Sequence, residues 1–313
     1  MRKAAFALGR YVSIVAILLL LVTPQSVIAG QGANTWTVPG DFATIQEAID
    51  SEDVLAGDTI RVGPGNFAGA NLTKGVHIKG VGQTIIDSGP EGPFGGTFGF
   101  YLPAGSDGAS FSQLTFTVYL GIYAWSANDV TVEHCRFLDP FQAITNWGGS
   151  NWYIHHNTIV NVITVGEVWD EETGATGIGG TPIVIGGRED GAGTVQNNIV
   201  SHNTVTGEVL FAPEDDGTEG GIYGIIVAAI PGAEAVSGNL FSYNKIDLVS
   251  KDPELREVTA FGLLDWRAPG STPDSCAVIH DNTITLNDLR GPDYPFEIYP
   301  EALWGCNTID RNL

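Results

Sequence analysis

The stretch Ile154-His155-His156-Asn157-Thr158-Ile159 contains the pattern that decides the fold. It reads apolar, two polar residues, Asn, any residue and a second apolar residue. The pattern returns, with substitutions, six more times between residue 111 and the C-terminus. The copies begin at Phe111, Val132, Val200, Phe241, Ile279 and Ile309, with fourth positions Leu114, Cys135, Asn203, Asn244, Asn282 and Asn312.

The spacing of the fourth positions indicates stacked coils. They lie 21, 22, 46, 41, 38 and 30 residues apart. A unit of this shortest length, with period-2 apolar spacing and a turn, is one coil of a β-solenoid. We interpret each longer step as one coil that carries an inserted loop. Asn tolerates a left-handed backbone and can hydrogen-bond through its amide, so stacked coils would form an asparagine ladder, with Leu114 and Cys135 at its apolar start.

A second strand repeats in phase with the ladder. Its copies begin at Ile122, Ile144, Ile183, Ile225, Leu263 and Ile298. Successive side chains of a strand point to opposite faces, so the first residue of each copy should point inward. The side chains expected to point outward are Tyr123, Trp125, Trp147, Leu264 and Trp266. Tight turn pairs at regular intervals, which antiparallel hairpins would need, are absent from the sequence.

Residues 1–29 have the features of a secretory signal peptide. Arg2, Lys3 and Arg10 precede or flank an apolar run that ends at Val22, and Ala29 closes a small-residue cleavage site. A membrane anchor is the alternative, although the run is short for a membrane span. We therefore expect a secreted, periplasmic or cell-surface protein with one domain over residues 30–313.

The charge of that domain excludes some partners. Beyond residue 29 the chain has 36 acidic and 11 basic side chains, a net charge near −25. Such a surface repels nucleic acid and anionic membranes. It also favours a neutral or cationic polysaccharide over an acidic one.

The N-terminal region predicts a helix that covers the end of the solenoid. Thr44 and Glu47 have the spacing of a capping box. Ile45, Ala48 and Ile49 then lie on one apolar side. Because the end of a solenoid must be covered, we expect this short helix to be the N-terminal cap.

This opening, over residues 35–87, followed by the ladder, resembles the right-handed parallel β-helix proteins of the pectin-lyase-like superfamily. The resemblance implies an all-β fold, but the superfamily includes lyases, hydrolases, esterases, epimerases and non-catalytic proteins. The opening is similar to that of pectin methylesterases, yet Gly65-Asn-Phe-Ala-Gly69 replaces their Gly-x-Tyr-x-Glu motif. Asp139-Pro140-Phe141 begins like the Asp-Pro-His motif of alginate epimerases and lacks the histidine, which indicates a turn.

Loop insertions are predicted near residues 163–181, 207–220 and 249–275. They are rich in acidic residues and should leave successive coils on the same side, beside the second strand. Their carboxylates could perform glycoside hydrolysis or bind calcium, or could form only a solvated ridge. The weak catalytic candidates are Asp170, Glu171, Glu214, Asp215 and Asp265.

The outward aromatic residues suggest a glycan-directed surface. Aromatic faces suit the apolar C–H faces of sugar rings, and the candidate carbohydrate-binding residues are Tyr123, Trp125, Trp147 and Trp266. The alternative is that the loops bury these side chains as a satellite core. A binding or scaffold protein is favoured over a polysaccharide hydrolase or lyase, because the catalytic motifs of the family are unmatched.

Histidines and cysteines give two further predictions. His134, His156 and His202 each precede a ladder position and could bind zinc or copper as a column, as in a metal-associated periplasmic protein. A column of polar turn residues is the alternative.

Cys276 and Cys306 each lie six residues before an assigned ladder Asn, which predicts a disulfide. Cys135 should be a free buried thiol. Leu313 directly follows a ladder position, so end-to-end association there is a further expectation.

Overall fold

The computed structural model describes residues 33–91, 97–164, 167–170, 175–178, 180–188, 194–212, 221–254, 256–267 and 275–313. The predicted signal peptide lies outside these residues. Most described strands belong to three long parallel sheets, and the chain passes through the three in turn, once per coil. The protein is a right-handed parallel β-helix, with the handedness that parallel crossovers adopt.

Sheet A, with ten strands, lies before the asparagine ladder. Its strands are β1 (Thr35–Val38), β2 (Thr59–Val62), β5 (His77–Gly80), β8 (Ser110–Ser112), β11 (Thr131–Glu133), β14 (Tyr153–His155), β20 (Ile199–Ser201), β24 (Leu240–Ser242), β28 (Thr283–Thr285) and β30 (Thr308–Asp310). Sheet B, with seven strands, follows the ladder. Its strands are β3 (Gly65–Ala68), β6 (Thr84–Ser88), β9 (Thr115–Phe116), β12 (Arg136–Leu138), β15 (Thr158–Thr164), β21 (Thr204–Phe211) and β25 (Lys245–Ser250).

Sheet C, with eight strands, contains the predicted second strand. Its strands are β4 (Ala70–Asn71), β7 (Phe98–Leu102), β10 (Leu120–Trp125), β13 (Gln142–Trp147), β18 (Ile183–Gly187), β22 (Ile222–Ala229), β26 (Val258–Asp265) and β29 (Tyr294–Tyr299). A three-stranded sheet joins sheets C and A in the later coils and consists of β19 (Thr194–Gln196), β23 (Ala235–Ser237) and β27 (Ile279–His280). The antiparallel pair β16 (Glu167–Asp170) and β17 (Ala175–Ile178) lies within the first insertion.

The core is built from apolar columns that run along each of the three sheets. In sheet A, Val132, Ile154, Val200, Phe241 and Ile284 are register partners and are fully buried. Equivalent residues lie about 4.8 Å apart along the axis. Each apolar side chain therefore packs on its own counterpart in the next coil, which explains why the sequence repeats its apolar positions so strictly.

Within the described ranges, three short helices accompany the sheets: α1 (Ile45–Asp50), α2 (Ser275–Val278) and α3 (Leu303–Cys306). The predicted capping box is confirmed, because the Thr44 side chain accepts from the Glu47 amide and Glu47 accepts from the Thr44 amide. Ile45, Ala48 and Ile49 are buried, and α1 packs on β1, β2 and β4. The helix therefore covers the N-terminal end, as predicted. None of the helices in the described part of the chain is long and apolar enough to span a membrane.

The predicted asparagine ladder is confirmed, with a correction in its last two coils. It runs through Asn157, Asn203, Asn244, Asn287 and Asn312, and each Nδ2 donates to the Oδ1 of the next residue at 2.9–3.0 Å. The assignment of Asn282 to this ladder was wrong. Ile284, not Ile279, pairs with Phe241, so the ladder position of that coil is Asn287.

Asn282 belongs instead to a second ladder at the bend before sheet A. Asn198, Asn239, Asn282 and Asn307 form it, with Nδ2–Oδ1 distances of 2.8–2.9 Å. The asparagines of both ladders also accept from the backbone N–H of the preceding coil's ladder residue. Two bends of the later coils are therefore fixed by buried amides.

The left-handed residue of the first bend is not the asparagine but the residue before it. His134, His156, His202 and Tyr243 have φ angles of 51°, 55°, 56° and 57°. This turn conformation directs their side chains outward, whereas the side chain of the following ladder residue points into the β-helix.

The cysteine predictions are confirmed, although one argument for them was wrong. Cys276 and Cys306 form a disulfide with a Cα–Cα distance of 5.5 Å. Asn282 and Asn312 belong to different ladders, so the equal spacing of each cysteine from its asparagine does not explain the bridge. The bridge instead joins α2 to α3, which pack together. Cys135 is free and buried, and burial raises the pKa of its thiol to about 12.

The insertions depart from the predicted bounds. The predicted insertion over residues 249–275 contains the whole of strand β26, so the loop that precedes this strand ends at Glu257. Phe261 rather than Leu263 aligns with Ile225, and Leu263 aligns with Val227. Because the shift is two residues, Leu263 still points inward.

Candidate functional site

The outer face of sheet C carries the predicted aromatic residues. Ile122, Ile144 and Leu263 are buried in the main core, as expected. One outward column contains Trp125, Trp147, Gly186, Ala228, Leu264 and Tyr299, and its neighbour contains Tyr101, Tyr123, Thr145, Val184, Ile226, Gly262 and Glu297. The direction of these side chains was therefore predicted correctly from alternation alone.

At the N-terminal half of this face, three rings form a stack. The Tyr101 and Tyr123 ring centroids are 6.4 Å apart, as are those of Tyr123 and Trp125, with interplanar angles of 29° and 27°. Tyr123 is only 7% exposed, whereas Tyr101 and Trp125 are half-buried. The guanidinium carbon of Arg188 lies 2.7 Å from the Trp125 ring centroid, so the indole makes a cation–π contact.

The C-terminal half of the face is a satellite core. Val184, Tyr223, Ile226, Ala228 and Leu264 are buried together, and Trp147 and Trp266 pack against them. Tyr123 and Leu264 point outward as predicted, but both are covered, so Tyr123 does not present an open ring. The alternative of a satellite core applies to this half.

Gly186 explains the position of Trp147. A Cβ atom at residue 186 would lie 2.1 Å from the Trp147 ring, so only glycine allows the indole to lie on this strand. The ring therefore leans toward the satellite core, while Trp125 in the neighbouring coil stacks with the tyrosines.

The described carboxylates near this face already have partners. Asp265 is buried, and its two oxygens accept from Nε and Nη2 of Arg267 at 2.9 and 2.8 Å. Glu297 accepts from the Tyr223 hydroxyl at 2.8 Å. Burial, reinforced by Glu297, raises the pKa of Tyr223, so this hydroxyl stays protonated and acts as a donor.

The other catalytic candidates cannot be placed beside Asp265. Asp170 is the last residue of β16, but its side chain is outside the described part. Glu171, Glu214 and Asp215 also lie outside it. Among the described residues, the structure brings Asp265 together with Arg267, next to the satellite core.

Sequence reasoning missed Tyr101 and the role of Arg188. Tyr101 precedes Tyr123 by 22 residues, the step of a short coil, so this spacing could have revealed it. Arg188 had no such signal. It directly follows β18, and Trp125 lies on β10, two strands away in sheet C, so no repeat relates the two residues.

The histidine column exists, but its geometry does not match a metal site. The rings of His134 and His156 stack with centroids 5.2 Å apart, and those of His156 and His202 at 4.9 Å. Two nitrogens bound to one zinc ion at about 2.1 Å can be at most about 4.2 Å apart. The centroids of neighbouring rings in the column are separated by more than this distance. Among the residues that the structure describes, no group of three or more His, Cys, Asp or Glu side chains could hold a metal ion.

His155 lies beneath this column in a polar chain. Its Nε2 is 3.3 Å from a Glu133 oxygen, its Nδ1 is 2.9 Å from Nδ1 of His156, and its ring stacks on Tyr153. Burial lowers the pKa of His155; Glu133 opposes this effect, and the neighbouring histidines reinforce it.

Acid is therefore expected to destabilise the fold through His155. An unfolded imidazole titrates near pH ~6.5, and the folded pKa lies below that value. Between the two values the unfolded chain binds more protons, so this contribution to the free energy of unfolding is complete above about pH 6.5 and falls as the pH drops. Urea unfolding at pH 7.5 and 5.0 should show a smaller loss in His155→Gln than in the wild type. Equal losses would exclude His155 as the cause.

Comparisons with known proteins give structural similarity alone. No protein-family model and no curated protein matches the chain. An alginate lyase from Paenibacillus sp. str. FPU-7 is similar in structure, with 14% identity over 89% of this chain and 94% of that one, at a TM-score of 0.49. The catalytic domain of a GH87 α-1,3-glucanase in complex with nigerose shows 12% identity over 90% of this chain and 69% of that one, at a TM-score of 0.34.

Proposed function

We propose that this β-helix is a glycan-binding or scaffold protein, with its binding surface at the N-terminal half of the outer face of sheet C. The observation that carries the proposal is the ring stack Tyr101–Tyr123–Trp125 with Trp147 beside it. Tyr101, Tyr123 and Trp147 come from three consecutive strands, and Trp125 lies two residues after Tyr123 on the same strand, so the rings form a staggered row across three coils. A row of rings suits an extended saccharide chain better than a compact ligand.

Packing makes this row rigid. Tyr123 is held between Tyr101, Trp125 and the buried ring of Phe98, whose centroid lies 5.0 Å away. Half-buried Tyr101 and Trp125 leave part of each ring accessible. Rings that are already ordered lose little conformational entropy when a sugar stacks on them. The guanidinium of Arg188 lies over the Trp125 ring at the same place.

Binding is favoured over cleavage because of the state of the carboxylates. Glycoside hydrolysis needs an acid and a second carboxylate on opposite sides of the scissile bond. Asp265 is neutralised by Arg267, and Glu297 is occupied by Tyr223. A polysaccharide hydrolase or lyase remains the alternative, and it would have to use carboxylates other than these.

The net charge near −25 favours a neutral or cationic glycan at this face.

We further propose that the protein is exported, since the disulfide is stable in an oxidising compartment and residues 1–29 read as a signal peptide. Mass spectrometry of the mature protein would then find an N-terminus after Ala29.

Replacing Trp125 by alanine is expected to weaken glycan binding about tenfold or more, the effect typical of a central aromatic residue in an interface. The measurement is a glycan-array screen followed by titration calorimetry on the best neutral ligand. Trp304→Ala is the matched control, because Trp304 is exposed on α3 away from this face. Tyr101→Ala should behave like Trp125→Ala.

Two outcomes would contradict the proposal. If Trp125→Ala stays folded and binds as well as the wild type, the ring stack is not the binding surface. If it unfolds, the rings serve as core. The release of reducing ends or unsaturated products from the bound glycan, with or without calcium, would instead favour the enzymatic alternative.

A further inference from the structure

A second exposed feature lies on the outer face of sheet A and does not involve sheet C. Tyr153 and Ile199 are register partners on adjacent strands, and they are 41% and 39% exposed. Half-buried Leu240 follows them in the same outward column. We call these three residues the apolar line. It places large apolar side chains next to one another on the surface of three consecutive strands.

A row of rings accompanies the apolar line at the bend that follows sheet A. We call it the ring line and define it as His134, His156, His202 and Tyr243. All four side chains are exposed, and neighbouring rings stack at centroid distances of 5.2, 4.9 and 5.0 Å. The two lines together form a contiguous exposed patch, and patches of this kind mark interaction surfaces.

The centre of this patch is ordered by contacts within the chain. The Tyr153 ring stacks on His155 with centroids 3.8 Å apart, and Nε2 of His155 lies 3.3 Å from a Glu133 oxygen. His155 itself is buried at the strand position between the two lines. A side chain that is already ordered loses little conformational entropy when a partner packs on it.

The outward positions of sheet A are electrically balanced, unlike the domain as a whole. They form two columns with one residue from each strand. The acidic and basic side chains in these columns are Arg61, Lys79, Glu133 and Asp310. Two positive and two negative charges cancel, whereas the domain has a net charge near −25. Two copies of the chain therefore meet little repulsion across this face.

A two-fold axis that lies between β14 and β20, parallel to the strands, makes this face self-complementary. It places the strands of a second copy opposite in reversed order, so that β14 faces β20, β11 faces β24 and β5 faces β30. Each outward column stays opposite the same column of the second copy. The contact is therefore isologous, as in most closed dimers.

Both lines match themselves under this axis. Tyr153 faces Ile199 of the second copy at the centre, where an interface is most apolar. The rings of the ring line directly follow β11, β14, β20 and β24, so the row is centred on the axis and His156 faces His202 of the second copy. A neutral imidazole has one hydrogen-bond donor and one acceptor, so the facing ring edges are complementary.

The charged residues indicate the same axis independently. Lys79 on β5 faces Asp310 on β30 of the second copy, and both side chains are exposed. Within its own chain Asp310 contacts Nε of Arg311 through Oδ2 at 3.1 Å, and a carboxylate accepts from more than one donor. A shift of the second copy by one strand separates Lys79 from Asp310 and leaves one end of the ring line opposite no ring.

The face has the size of a small specific interface. At a strand spacing of about 4.8 Å, the strands from β5 to β30 cover about 35 Å along the axis, and a short strand with its bend is about 15 Å wide. Each copy would therefore bury about 500–600 Å², which places the total near the lower end of specific interfaces.

We propose that two copies of this chain form a two-fold dimer through the apolar line and the ring line, with Lys79 of each copy beside Asp310 of the other. The occupant of this face is thus a second copy of the chain. The dimer uses no residue of sheet C, so it is independent of the proposed glycan binding and leaves the aromatic face of both copies uncovered.

The first test is sedimentation equilibrium of the purified chain from about 1 to 100 µM, the range in which an interface of this size dissociates. Ile199→Asp places a charge at the centre and should weaken dimerisation about a hundredfold or more. Val249→Asp is the matched control, because Val249 is 44% exposed on sheet B, and it should leave the dimer unchanged. A monomer at every concentration, or equal dimerisation of the wild type and a folded Ile199→Asp variant, would overturn the proposal.

Charge reversal tests the register with variants at exposed positions, which spare the core. Lys79→Asp alone, or Asp310→Lys alone, places like charges opposite each other at two symmetric positions and should weaken dimerisation about tenfold. The double variant restores opposite signs and should recover the wild-type dissociation constant. Lys251→Asp, at an exposed position outside this face, should have no effect.

Two results of these measurements would reject this dimer. If the double variant dimerises no better than either single variant, Lys79 does not face Asp310. If association is lost in Trp304→Ala and kept in Ile199→Asp, the contact lies at the C-terminal coil instead of sheet A.

Discussion

Replacing Asn203 by leucine is expected to lower the free energy of unfolding by about 4 kcal/mol, since each buried polar group that loses its partner costs about 1–3 kcal/mol. The Oδ1 of Asn203 accepts from both the backbone N–H and Nδ2 of Asn157. Its Nδ2 donates to the Ile154 carbonyl and to Oδ1 of Asn244. Leucine has a similar volume and can make none of these bonds, so two donors of Asn157 are left buried without acceptors.

Urea unfolding followed by circular dichroism measures this effect. Asn66→Ala is the matched control, because Asn66 is exposed and its loss should change stability by less than about 0.5 kcal/mol. If Asn203→Leu lowers the free energy of unfolding by no more than Asn66→Ala does, the ladder contributes little to stability. The ladder position before Asn157 does not need an amide, as Cys135 shows: its backbone N–H donates to Oδ1 of Asn157, and its thiol contacts the Glu133 carbonyl.

The ladder also shows what one sequence can predict about this fold. The apolar positions and the asparagines repeat strictly enough to predict stacked coils and the inward columns, and the capping box at Thr44 predicts the capping helix. The register of the last coils was ambiguous because both Ile279–Asn282 and Ile284–Asn287 read apolar, two residues, Asn. Only strand pairing separates them, since Ile279 aligns with Val236 and Ile284 with Phe241.

The candidate site was predicted less completely, for a physical reason. Alternation fixes the direction of a strand side chain, so Trp125 and Leu264 were correctly placed on the outer face. Exposure depends on what packs over that face, and the direction of the side chains alone predicts neither the burial of Tyr123 against Phe98 and Tyr101 nor that of Leu264 in the satellite core. The histidine column could be predicted because its residues repeat in phase with the ladder. The stacking of its rings, which argues against a shared metal ion, could not be predicted, because it depends on the backbone conformation of the turn.

Removing the disulfide is expected to destabilise the C-terminal coil. Cys276→Ser with Cys306→Ser opens a bridge between residues 30 apart in sequence, a span for which loop-closure entropy predicts about 3–4 kcal/mol. Hydrogen exchange should rise between residues 275 and 313 and stay unchanged in the coils that contain Asn157 and Asn203. Reduction of the wild type should reproduce the variant, and three free thiols in freshly exported protein would contradict the bridge.

The effect should remain local because this coil has the least packing to replace the covalent link. Its inward residues Phe296, Ile298 and Ile309 are half-buried, whereas their register partners Phe261, Leu263 and Ile284 are at most 1% exposed. Apolar burial contributes about 25 cal/mol per Å², so the last coil gains less from packing than the coils before it. The bridge joins the two short helices that flank this coil, and its loss should release the coil first, leaving the ladders of the earlier coils intact.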